Sequence, residues 1–234
     1  MKILGIIPAR GGSKGVPGKN IKLLGKHPLI YYTIERALEA KGIDQLMLNT
    51  DDPKIAEVGK ELGVEVPFLR PKRLAEDATP TLPVIQYTLN WFLDNGIQYD
   101  AVCLLQPTNP FRPKGFIDEA ITKFKQKEMD ALISVLEVPH EYNPHWVFEP
   151  DPEGKLKIAT GENTLVPRRQ ELPKAYFRDG SIYLTKAEVI LNENSLYGQK
   201  LGYILADKNH YVNIDTMKDW EKAENKLTDL ACVE

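Results

Sequence analysis

Residues 3–20 read ILGIIPARGGSKGVPGKN, a hydrophobic run followed at once by a loop rich in glycine and basic side chains. After its first residue, the run from Lys2 to Pro8 is continuously apolar, which is the pattern of a parallel strand buried on both faces. Open α/β sheets bind ligands beyond the carboxyl ends of such strands. We therefore expect residues 10–20 to lie at a ligand-binding edge of a sheet.

Outward from this stretch, the chain alternates predicted strands with predicted helices. Short apolar runs predict the strands, and apolar residues at helical spacing, bounded by proline, aspartate or glycine, predict the helices. The predicted strands cover residues 2–8, 45–52, 64–69, 99–107, 130–138, 180–186, 201–207 and 211–215, and the predicted helices cover 28–41, 52–63, 84–96, 113–127 and a last segment from 216. This βαβ alternation predicts an α/β fold, a Rossmann-like and mostly parallel sheet with helices on both faces.

The alternation breaks at Pro139. The following segment is rich in proline, histidine, asparagine and charge, and only KLKIAT (155–160) has a strand pattern. A long irregular segment in a compact domain is usually a lid, an interface or disordered. Trp146 and Phe148 are expected to be exposed on the surface of a single chain. Exposed aromatic side chains favour an interface in which another chain covers them. The predicted domains are a main α/β domain of residues 1–138 and 177–234 and an inserted segment of residues 139–176, which the residues themselves indicate to be a lid or an interface.

The composition is that of an ordinary globular protein, with 234 residues, 42% hydrophobic and 27% charged, and a net charge of −3. That charge disfavours general binding to nucleic acid or to a membrane surface. No apolar run reaches the length of a membrane span and the start lacks a signal-peptide core, so a cytoplasmic location is expected. Cys103 lies in an apolar run and Cys232 in the tail, so no structural disulfide is expected.

The charge of the first segment is one-sided. No Asp or Glu occurs before Glu35, whereas six basic side chains do: Lys2, Arg10, Lys14, Lys19, Lys22 and Lys26. Glycines let the backbone approach an anion and turn N–H groups toward it, so the loop suits a polyphosphate. It matches neither the P-loop nor the G-x-G-x-x-G pattern. The alternative is a flexible, solvated loop, although cations crowded without a counter-charge favour a bound anion.

Five stretches together resemble one enzyme family. They are IIPARGGSKGVPGKNIKLLGKHPLIYYTI (6–34), LRPKRLAEDATPT (69–81), LLQPTNPFR (104–112), RRQELPKAYFRDGSIYL (168–184) and VNIDTMKDWEKAE (212–224). In this order they resemble the acylneuraminate (CMP-sialic acid) cytidylyltransferases of the nucleotide-diphospho-sugar transferase superfamily. The loop after IPAR separates them from the related Kdo cytidylyltransferases. The resemblance implies Mg²⁺-dependent attack by the anomeric hydroxyl of a nine-carbon 2-keto sugar acid on the α-phosphate of CTP, giving a CMP-sugar and pyrophosphate.

The resemblance assigns nucleotide-binding roles to the loop and to the second stretch. The implied triphosphate side comprises Arg10, Lys14 and Lys19, further donors from Ser13 and the backbone of Gly11 and Gly12, and Asn20 beside the nucleotide. Arg70 and Thr81 match positions that read cytosine, whose carbonyl and ring nitrogen suit an arginine fork. The alternatives are a surface ion pair for Arg70 and a helix N-cap for Thr81. Lys19 follows a glycine in a polar loop and is expected to pack little.

The implied sugar-side residues lie in the third and fourth stretches. They are Gln106 at the end of a buried strand, Arg169, Gln170, Asp179 and Tyr183. In the sequence pattern of the family, Leu-Pro is followed by an aromatic residue, Arg, any residue and Asn-Gly. This chain has YFRDG at 176–180, so Arg178 is shifted by one position and Asp179 replaces the amide. The pattern does not choose among N-acetylneuraminic, Kdn, legionaminic and pseudaminic acids.

The implied metal site departs from the family's D-x-D before the last helix, because this chain has Asn213-Ile214-Asp215. In a strand, residues 213 and 215 would share one face and could meet one Mg²⁺, which prefers oxygen ligands and keeps several waters. Asp215 is the expected direct ligand, and Asn213 offers a carbonyl oxygen or holds a metal-bound water. The alternative for Asp215 is to cap the last helix. Thr216 competes for that cap, with Asp219 three residues on as in a capping box.

The resemblance makes Arg10, Lys19, Gln106 and Asp215 the residues expected to act in the reaction. It also implies a homodimer or a dimer of dimers, in which residues 139–176 form an inserted dimerisation arm that reaches the active site of the partner. Two other interpretations stay open. One is the same fold with another nucleotide or sugar, as in a guanylyltransferase or a Kdo-type enzyme. The other is a nonenzymatic nucleotide-sugar binder, which the residues Asn213 and Asp179 suggest.

Overall fold

The structure of the protein is a computed structural model that describes residues 1–231. Its strands are β1 (Ile3–Pro8), β2 (Leu23–Leu24), β3 (His27–Pro28), β4 (Gln45–Asn49), β5 (Ala101–Leu104), β6 (Ala131–Glu137), β7 (Phe148–Pro150), β8 (Leu156–Ile158), β9 (Tyr176–Lys186) and β10 (Leu201–Leu205). Its helices are α1 (Leu29–Leu38), α2 (Pro53–Glu61), α3 (Thr81–Asp94), α4 (Phe116–Gln126), α5 (Ala187–Asn192) and α6 (Met217–Ala231).

Six strands form the central sheet in the order β10-β6-β9-β5-β1-β4. Strand β1 pairs in parallel with β4 on one side and with β5 on the other, and β9 is antiparallel to β5. The carboxyl ends of β1, β4 and β5 therefore meet at one edge, where the connections to the next elements leave the sheet. The predicted α/β fold with a mostly parallel sheet is confirmed.

Both faces of the sheet are covered by helices. One face packs Ile3 and Ile7 of β1 into a core with residues of α1, α2 and α4. Pro8 is in register with Asn49 of β4 on the opposite face, and the side chain of Asn49 bonds to Thr88 of α3. Helix α3 therefore lies on that second face. This double burial explains why β1 is apolar at consecutive positions rather than at alternating ones.

Two predicted strands are wrong. Residues 64–69 form a single bridge, between Glu65 and Met47, because Pro67 has no N–H to donate to a ladder. Residues 211–215 are irregular, and the backbone N–H of Ile214 donates to the carbonyl of Thr108 at 2.8 Å. Their alternating apolar pattern reflects burial in a side cluster rather than strand pairing. Helix α5 and strand β7 were not predicted.

The chain divides into two compact units. The larger comprises residues 1–134 and those from 179 onward, and the smaller comprises Val135–Arg178, slightly wider than the predicted arm. Within the smaller unit, β7 and β8 form an antiparallel pair. The indole N–H of Trp146 donates to the carbonyl of Val166 at 2.9 Å and its side chain is half-buried, so the expectation that Trp146 is exposed is wrong.

Two further expectations concerned membrane spans and a disulfide. None of the helices in the described chain is long and apolar enough to cross a membrane. Cys103 is fully buried in β5, and burial raises the pKa of its thiol to about 12. Cys232 lies outside the described residues, so the expected absence of a disulfide stays a prediction.

Candidate active site

Ten of the predicted site residues line one cleft of about 550 Å³ at the carboxyl edge of the sheet. They are Arg10, Ser13, Lys14, Lys19, Asn20, Arg70, Thr81, Gln106, Asn213 and Asp215. Strand β1 leads directly into Arg10, and Gln106 follows β5. The backbone N–H of Arg70 donates to the carbonyl of Thr50, just beyond β4, at 2.8 Å. Residues distant in the sequence thus meet because three neighbouring strands end together.

The glycine-rich loop is anchored in the fold at two points, Gly15 and Val16. Val16 is fully buried in a cluster that contains Ile214 and Trp220. A Cβ atom at Gly15 would lie 2.0 Å from the carbonyl oxygen of Asp215, so only glycine permits this close approach. The loop and the segment before α6 therefore form one joined wall of the cleft.

The cations of the loop have a counter-charge that the sequence did not reveal. The carboxylate of Asp77 accepts hydrogen bonds from both Lys14 and Arg10, one on each oxygen. These bonds, the one from Lys14 first, hold the pKa of Asp77 below its ordinary value. Asp77 therefore stands where an anionic ligand of Arg10 and Lys14 would place its own oxygens.

Lys19 is held more tightly than expected. Its Nζ atom donates to the carbonyl oxygen of Ile214 at 2.7 Å and lies 3.5 Å from the carboxylate of Asp215. Only 13% of the side chain is exposed, so the expectation that Lys19 packs little is wrong. Burial lowers the pKa of its ammonium group, an effect that Asp215 opposes.

The backbone of the loop is also largely bonded within the protein. The N–H of Gly11 donates to a carboxylate oxygen of Asp51 at 3.0 Å, so this expected phosphate donor is already engaged. The space around Gly12 is open, although Gly12 is not among the residues that line the cleft. Asn20 is buried and its amide donates to the carbonyl of Arg10 at 2.9 Å. Asn20 therefore positions Arg10.

Arg70 and Thr81 line the same cleft as the loop. Arg70 is 6% exposed and donates from Nε and Nη2 to the side-chain and backbone oxygens of Asn49, so a surface ion pair is wrong. Burial lowers the pKa of its guanidinium to about 10. Thr81 is the first residue of α3, whose N-cap is Pro80, so the capping alternative for Thr81 is also wrong.

Gln106 is held at the end of β5 by its backbone. Its carbonyl oxygen accepts from Nη2 of the buried Arg112 at 2.8 Å, and Arg112 also donates to the carbonyl of Ser181 at 2.9 Å. Burial lowers the pKa of Arg112 to about 10. A Cβ atom at Gly180 would lie 3.3 Å from Oε1 of Gln106, so the side chain of Gln106 lies against the start of β9.

Asn213 and Asp215 meet although they are not in a strand. The amide of Asn213 donates to Oδ2 of Asp215 at 2.6 Å. Thr216 and Asp219 exchange hydrogen bonds at the start of α6, which confirms the predicted capping box. Asp215 is thus not needed as the helix cap, and its side chain faces the cleft beside Lys19.

Four predicted sugar-side residues are not among those that line the cleft. Asp179 is 4% exposed, and one of its oxygens accepts from the hydroxyl of Ser134 and the N–H of Ser181. This buried hydrogen bonding gives Asp179 a structural role in β9. Tyr183 is 5% exposed and packs edge-on against Tyr197. Arg169 and Gln170 belong to the smaller unit, in a short 3₁₀ turn of exposed residues.

Sequence reasoning missed several residues at this site, among them the polar residues that follow. Asp77 and Thr79 line the cleft, and Asn49 holds Arg70 from behind it. A signal for Asp77 and Thr79 was available, because both lie between Arg70 and Thr81 in a stretch already singled out. Asn49 carried a weaker signal, as a polar residue at the end of a predicted buried strand.

The arrangement combines an anion site with a polar wall. Arg10, Lys14 and Lys19 line the cleft, and the carboxylate of Asp215 reaches the same space. Arg70 adds its planar donors to the lining. Such a cleft can bind a polyphosphate that carries a flat, polar group, and it can stabilise charge that develops on a leaving phosphate.

Comparisons with known proteins agree with this chemistry. A model of the cytidylyltransferase family matches residues 4–231. The CMP-N,N'-diacetyllegionaminic acid synthase of Legionella pneumophila is 35% identical to this chain over 231 residues, which cover 98% of this chain and 97% of the relative. The pseudaminic acid cytidylyltransferase of Campylobacter jejuni is 35% identical over 225 residues, 96% of this chain and 95% of the relative.

A solved structure gives the same fold. The structure of CMP:2-keto-3-deoxy-manno-octonic acid synthetase complexed with CTP matches with a TM-score of 0.73. The match covers 98% of this chain and 99% of that chain, at 16% sequence identity. At that identity the likeness concerns the fold alone.

Proposed function

This chain belongs to the cytidylyltransferase family, and we propose that it transfers the cytidylyl group of CTP to the anomeric hydroxyl of a nonulosonic acid. The products are a CMP-sugar and pyrophosphate. The family assignment agrees with the resemblance found in the sequence. Both relatives described above are named for nonulosonic acids, which places the substrate of this chain in the same chemical class.

One observation carries the proposal most directly. The cations implied to bind triphosphate and the arginine implied to read cytosine line the same cleft, at the edge where open α/β sheets bind ligands. The volume of about 550 Å³ is within the range of small-molecule sites.

In the proposed reaction the residues of the chain bind and orient rather than react covalently. Arg10, Lys14 and Lys19 hold phosphate oxygens and stabilise the charge that grows on the leaving pyrophosphate. Gln106 orients the sugar acid so that its anomeric hydroxyl approaches the α-phosphate from the side opposite the leaving group. Fixing both substrates in this geometry removes much of the entropic barrier to the displacement.

We propose that Mg²⁺ binds with the triphosphate at Asp215 and Asn213. Both side chains line the cleft and supply oxygen donors, which suits an ion that takes its other ligands from phosphates and water. Among residues 1–231, no cluster of three or more His, Cys, Asp or Glu side chains is placed to hold a metal by itself. When bound, the ion would neutralise part of the triphosphate charge.

This metal assignment predicts a specific effect of Asn213→Asp. A second carboxylate at this position should lower the Mg²⁺ concentration needed for half-maximal rate, with little change in maximal rate. Asp215→Asn should nearly abolish activity at any practical Mg²⁺ concentration. A metal titration of wild type and both variants decides the matter. An unchanged Mg²⁺ requirement in Asn213→Asp, together with an active Asp215→Asn, would place the metal elsewhere.

We also propose a homodimer or a dimer of dimers, in which Arg169 and Gln170 of the smaller unit contact the sugar acid. Four large apolar side chains of that unit are exposed, with Tyr142 70%, Leu156 67%, Leu165 46% and Phe148 43% accessible. Apolar surface of this kind favours contact with another chain. Because CTP is a cytoplasmic metabolite, we propose a cytoplasmic location.

The experiment that tests the proposed function is a substrate panel. The protein is incubated with Mg²⁺, one of CTP, GTP, UTP or ATP, and one of several sugar acids, and pyrophosphate release is measured. We expect release with CTP and with legionaminic, pseudaminic or N-acetylneuraminic acid. Release only with GTP would indicate a guanylyltransferase. Release only with Kdo as the sugar acid would indicate a Kdo-type enzyme. Binding without release under all conditions would indicate a nonenzymatic binder.

A further inference from the structure

A chain of buried hydrogen bonds lies behind Arg70. Thr88 is fully buried in α3, and its hydroxyl donates its single hydrogen to the carbonyl of Val84 at 2.8 Å. The hydroxyl oxygen can therefore only accept from the amide nitrogen of Asn49, which lies 3.0 Å away. This fixes the amide so that its oxygen faces Arg70, whose Nε atom donates to it at 2.5 Å.

The same residue holds Arg70 a second time. Nη2 of Arg70 donates to the backbone oxygen of Asn49 at 2.7 Å, so one edge of the guanidinium is bonded to a single fully buried residue. Because the guanidinium is planar and rigid, two bonds on one edge fix the direction of the whole group. The Nη1 atom is left, and no hydrogen bond from it is found within the described residues.

We infer that Asn49 and Thr88 are positioning residues that hold Arg70 in one orientation and thereby set the selectivity of the cleft for cytosine over uracil. Neither residue lines the cleft, and neither is implied by the family motifs quoted above. The inference rests on the proposed function, because it takes Arg70 to be the residue that reads the base.

The selectivity follows from the two bases. The N3 atom of cytosine is an acceptor, whereas N3 of uracil carries a hydrogen and donates. A fixed arginine donor can bond to cytosine, but it leaves two donors opposed when uracil is bound, and unpaired buried donors are costly. An arginine that is free to turn could avoid the opposed donor, and the discrimination would be lost. Orientation, rather than charge, therefore determines the choice of base.

Helix α3 joins this network to the cleft itself. Its residues Thr81 and Val84 line the cleft, and Thr88 lies one turn beyond Val84 on the same helix. The helix that contributes Thr81 and Val84 to the cleft therefore also supplies the anchor for Arg70. A shift of α3 would move the wall and the arginine together.

The test is the ratio of the dissociation constants of UTP and CTP, measured by calorimetry with Mg²⁺ and without a sugar acid. Thr88→Val removes the hydroxyl at nearly constant volume and frees the amide of Asn49 to turn. We expect the UTP-to-CTP ratio to fall roughly tenfold, the effect of one hydrogen bond losing its geometry. Thr88→Ser keeps the hydroxyl and should keep the ratio.

Two further variants separate positioning from stability. Thr185 of β9 is also buried, and its hydroxyl donates to the carbonyl of Leu196 at 2.6 Å. Thr185→Val removes this hydroxyl and should leave the UTP-to-CTP ratio unchanged. Arg70→Lys keeps the positive charge without the planar set of donors, so the UTP-to-CTP ratio of dissociation constants should fall toward one. If Thr88→Val does not fold, Thr88→Ala, which also lacks the hydroxyl, takes its place.

The outcomes distinguish this inference from the proposed function. A wild-type protein that binds neither CTP nor UTP would overturn both, whereas one that binds UTP as tightly as CTP would overturn the positioning role alone. A wild type that prefers CTP, with the ratio kept in Thr88→Val or in Arg70→Lys, would overturn the positioning role alone and leave the proposed reaction intact. A ratio lost equally in Thr185→Val would show a general effect of destabilisation, and it too would overturn the positioning role.

Discussion

At the scale of single residues, Asp77 determines the charge balance of the cleft. Its carboxylate is bonded to Arg10 and Lys14, which are the cations that a triphosphate requires. A ligand with phosphate oxygens must displace it. Asp77 therefore keeps the two cations paired before CTP binds, and it lowers the net gain from binding.

This competition predicts that Asp77→Asn binds pyrophosphate more tightly than the wild type. The neutral amide no longer competes for Arg10 and Lys14, and we expect the dissociation constant from calorimetry to fall by roughly twofold to fivefold, the size of an exposed ion pair. Glu76→Gln removes the same charge one residue away and serves as the control. Weaker binding in Asp77→Asn would instead mean that Asp77 orients the two cations for the ligand.

The two lysines of the loop should respond differently to alanine. The side chain of Lys14 is 83% exposed, so Lys14→Ala should lower turnover roughly tenfold or more without changing thermal stability. Lys19→Ala leaves the carbonyl of Ile214 without its donor, which costs about 1–3 kcal/mol of folding free energy in addition to the loss of turnover. Urea unfolding and activity per folded molecule separate the effects. Equal stability of the two variants would contradict this account.

At the scale of the elements, the start of α6 fixes the segment that carries Asp215. Asp219 accepts from the hydroxyl and the N–H of Thr216, and Thr216 caps the helix in return. The bond from the Thr216 hydroxyl, followed by the one from Lys222, lowers the pKa of Asp219 from 3.8 to about 2. The charged carboxylate therefore stabilises the fold above pH 4, and this stabilisation is lost as the pH falls toward 2.

Asp219→Ala should accordingly cost about 1 kcal/mol of stability at pH 7, the usual value of a lost cap. The difference from the wild type should shrink as urea unfolding is repeated at decreasing pH down to 3. Asp229→Ala, near the other end of α6, removes the same side chain where it makes no cap, and should cost nothing. A difference that is constant with pH would rule out the carboxylate as the source of the stabilisation.

The elements also mark where sequence reasoning succeeds. Strand β1 and helix α3 were predictable because their burial imposes a strong apolar pattern. The irregular structure of residues 211–215 was not predictable. Val212 and Ile214 are buried against Trp220 without a strand partner, and an alternating apolar pattern indicates burial of every second residue whether or not the segment pairs in a sheet. Asn213 and Asp215 meet because the amide of Asn213 donates a hydrogen bond to the carboxylate of Asp215, which no periodicity encodes.

At the scale of the whole molecule, long-range charge pairing lay beyond the reach of the sequence. Asp77 is 67 residues from Arg10, and nothing in the local pattern links them. The buried state of Lys19 was missed for the same reason, since its acceptor is 195 residues away. The family motifs identified most residues of the cleft, whereas the partners that hold them required the fold.

The proposed dimer can be tested on the smaller unit. Phe148 and Leu156 lie on strands that pair with each other, and both side chains are exposed. Replacing both with Glu should give particles of 26.5 kDa in light scattering, half the mass expected for the wild type. The control is Lys157→Glu, which adds negative charge on the opposite face of the same strand pair. A wild type that is already monomeric would contradict the dimer.

The reaction itself is tested most directly by ³¹P NMR of the protein with CTP, Mg²⁺ and the sugar acid that gives most pyrophosphate in the panel. The account predicts that the signals of CTP decline while a phosphodiester and pyrophosphate appear in equal amounts, because the anomeric oxygen replaces pyrophosphate on the α-phosphorus. Appearance of CMP with pyrophosphate and no phosphodiester would show hydrolysis instead of transfer. That result, or no loss of CTP with any nonulosonic acid, would contradict the assigned function.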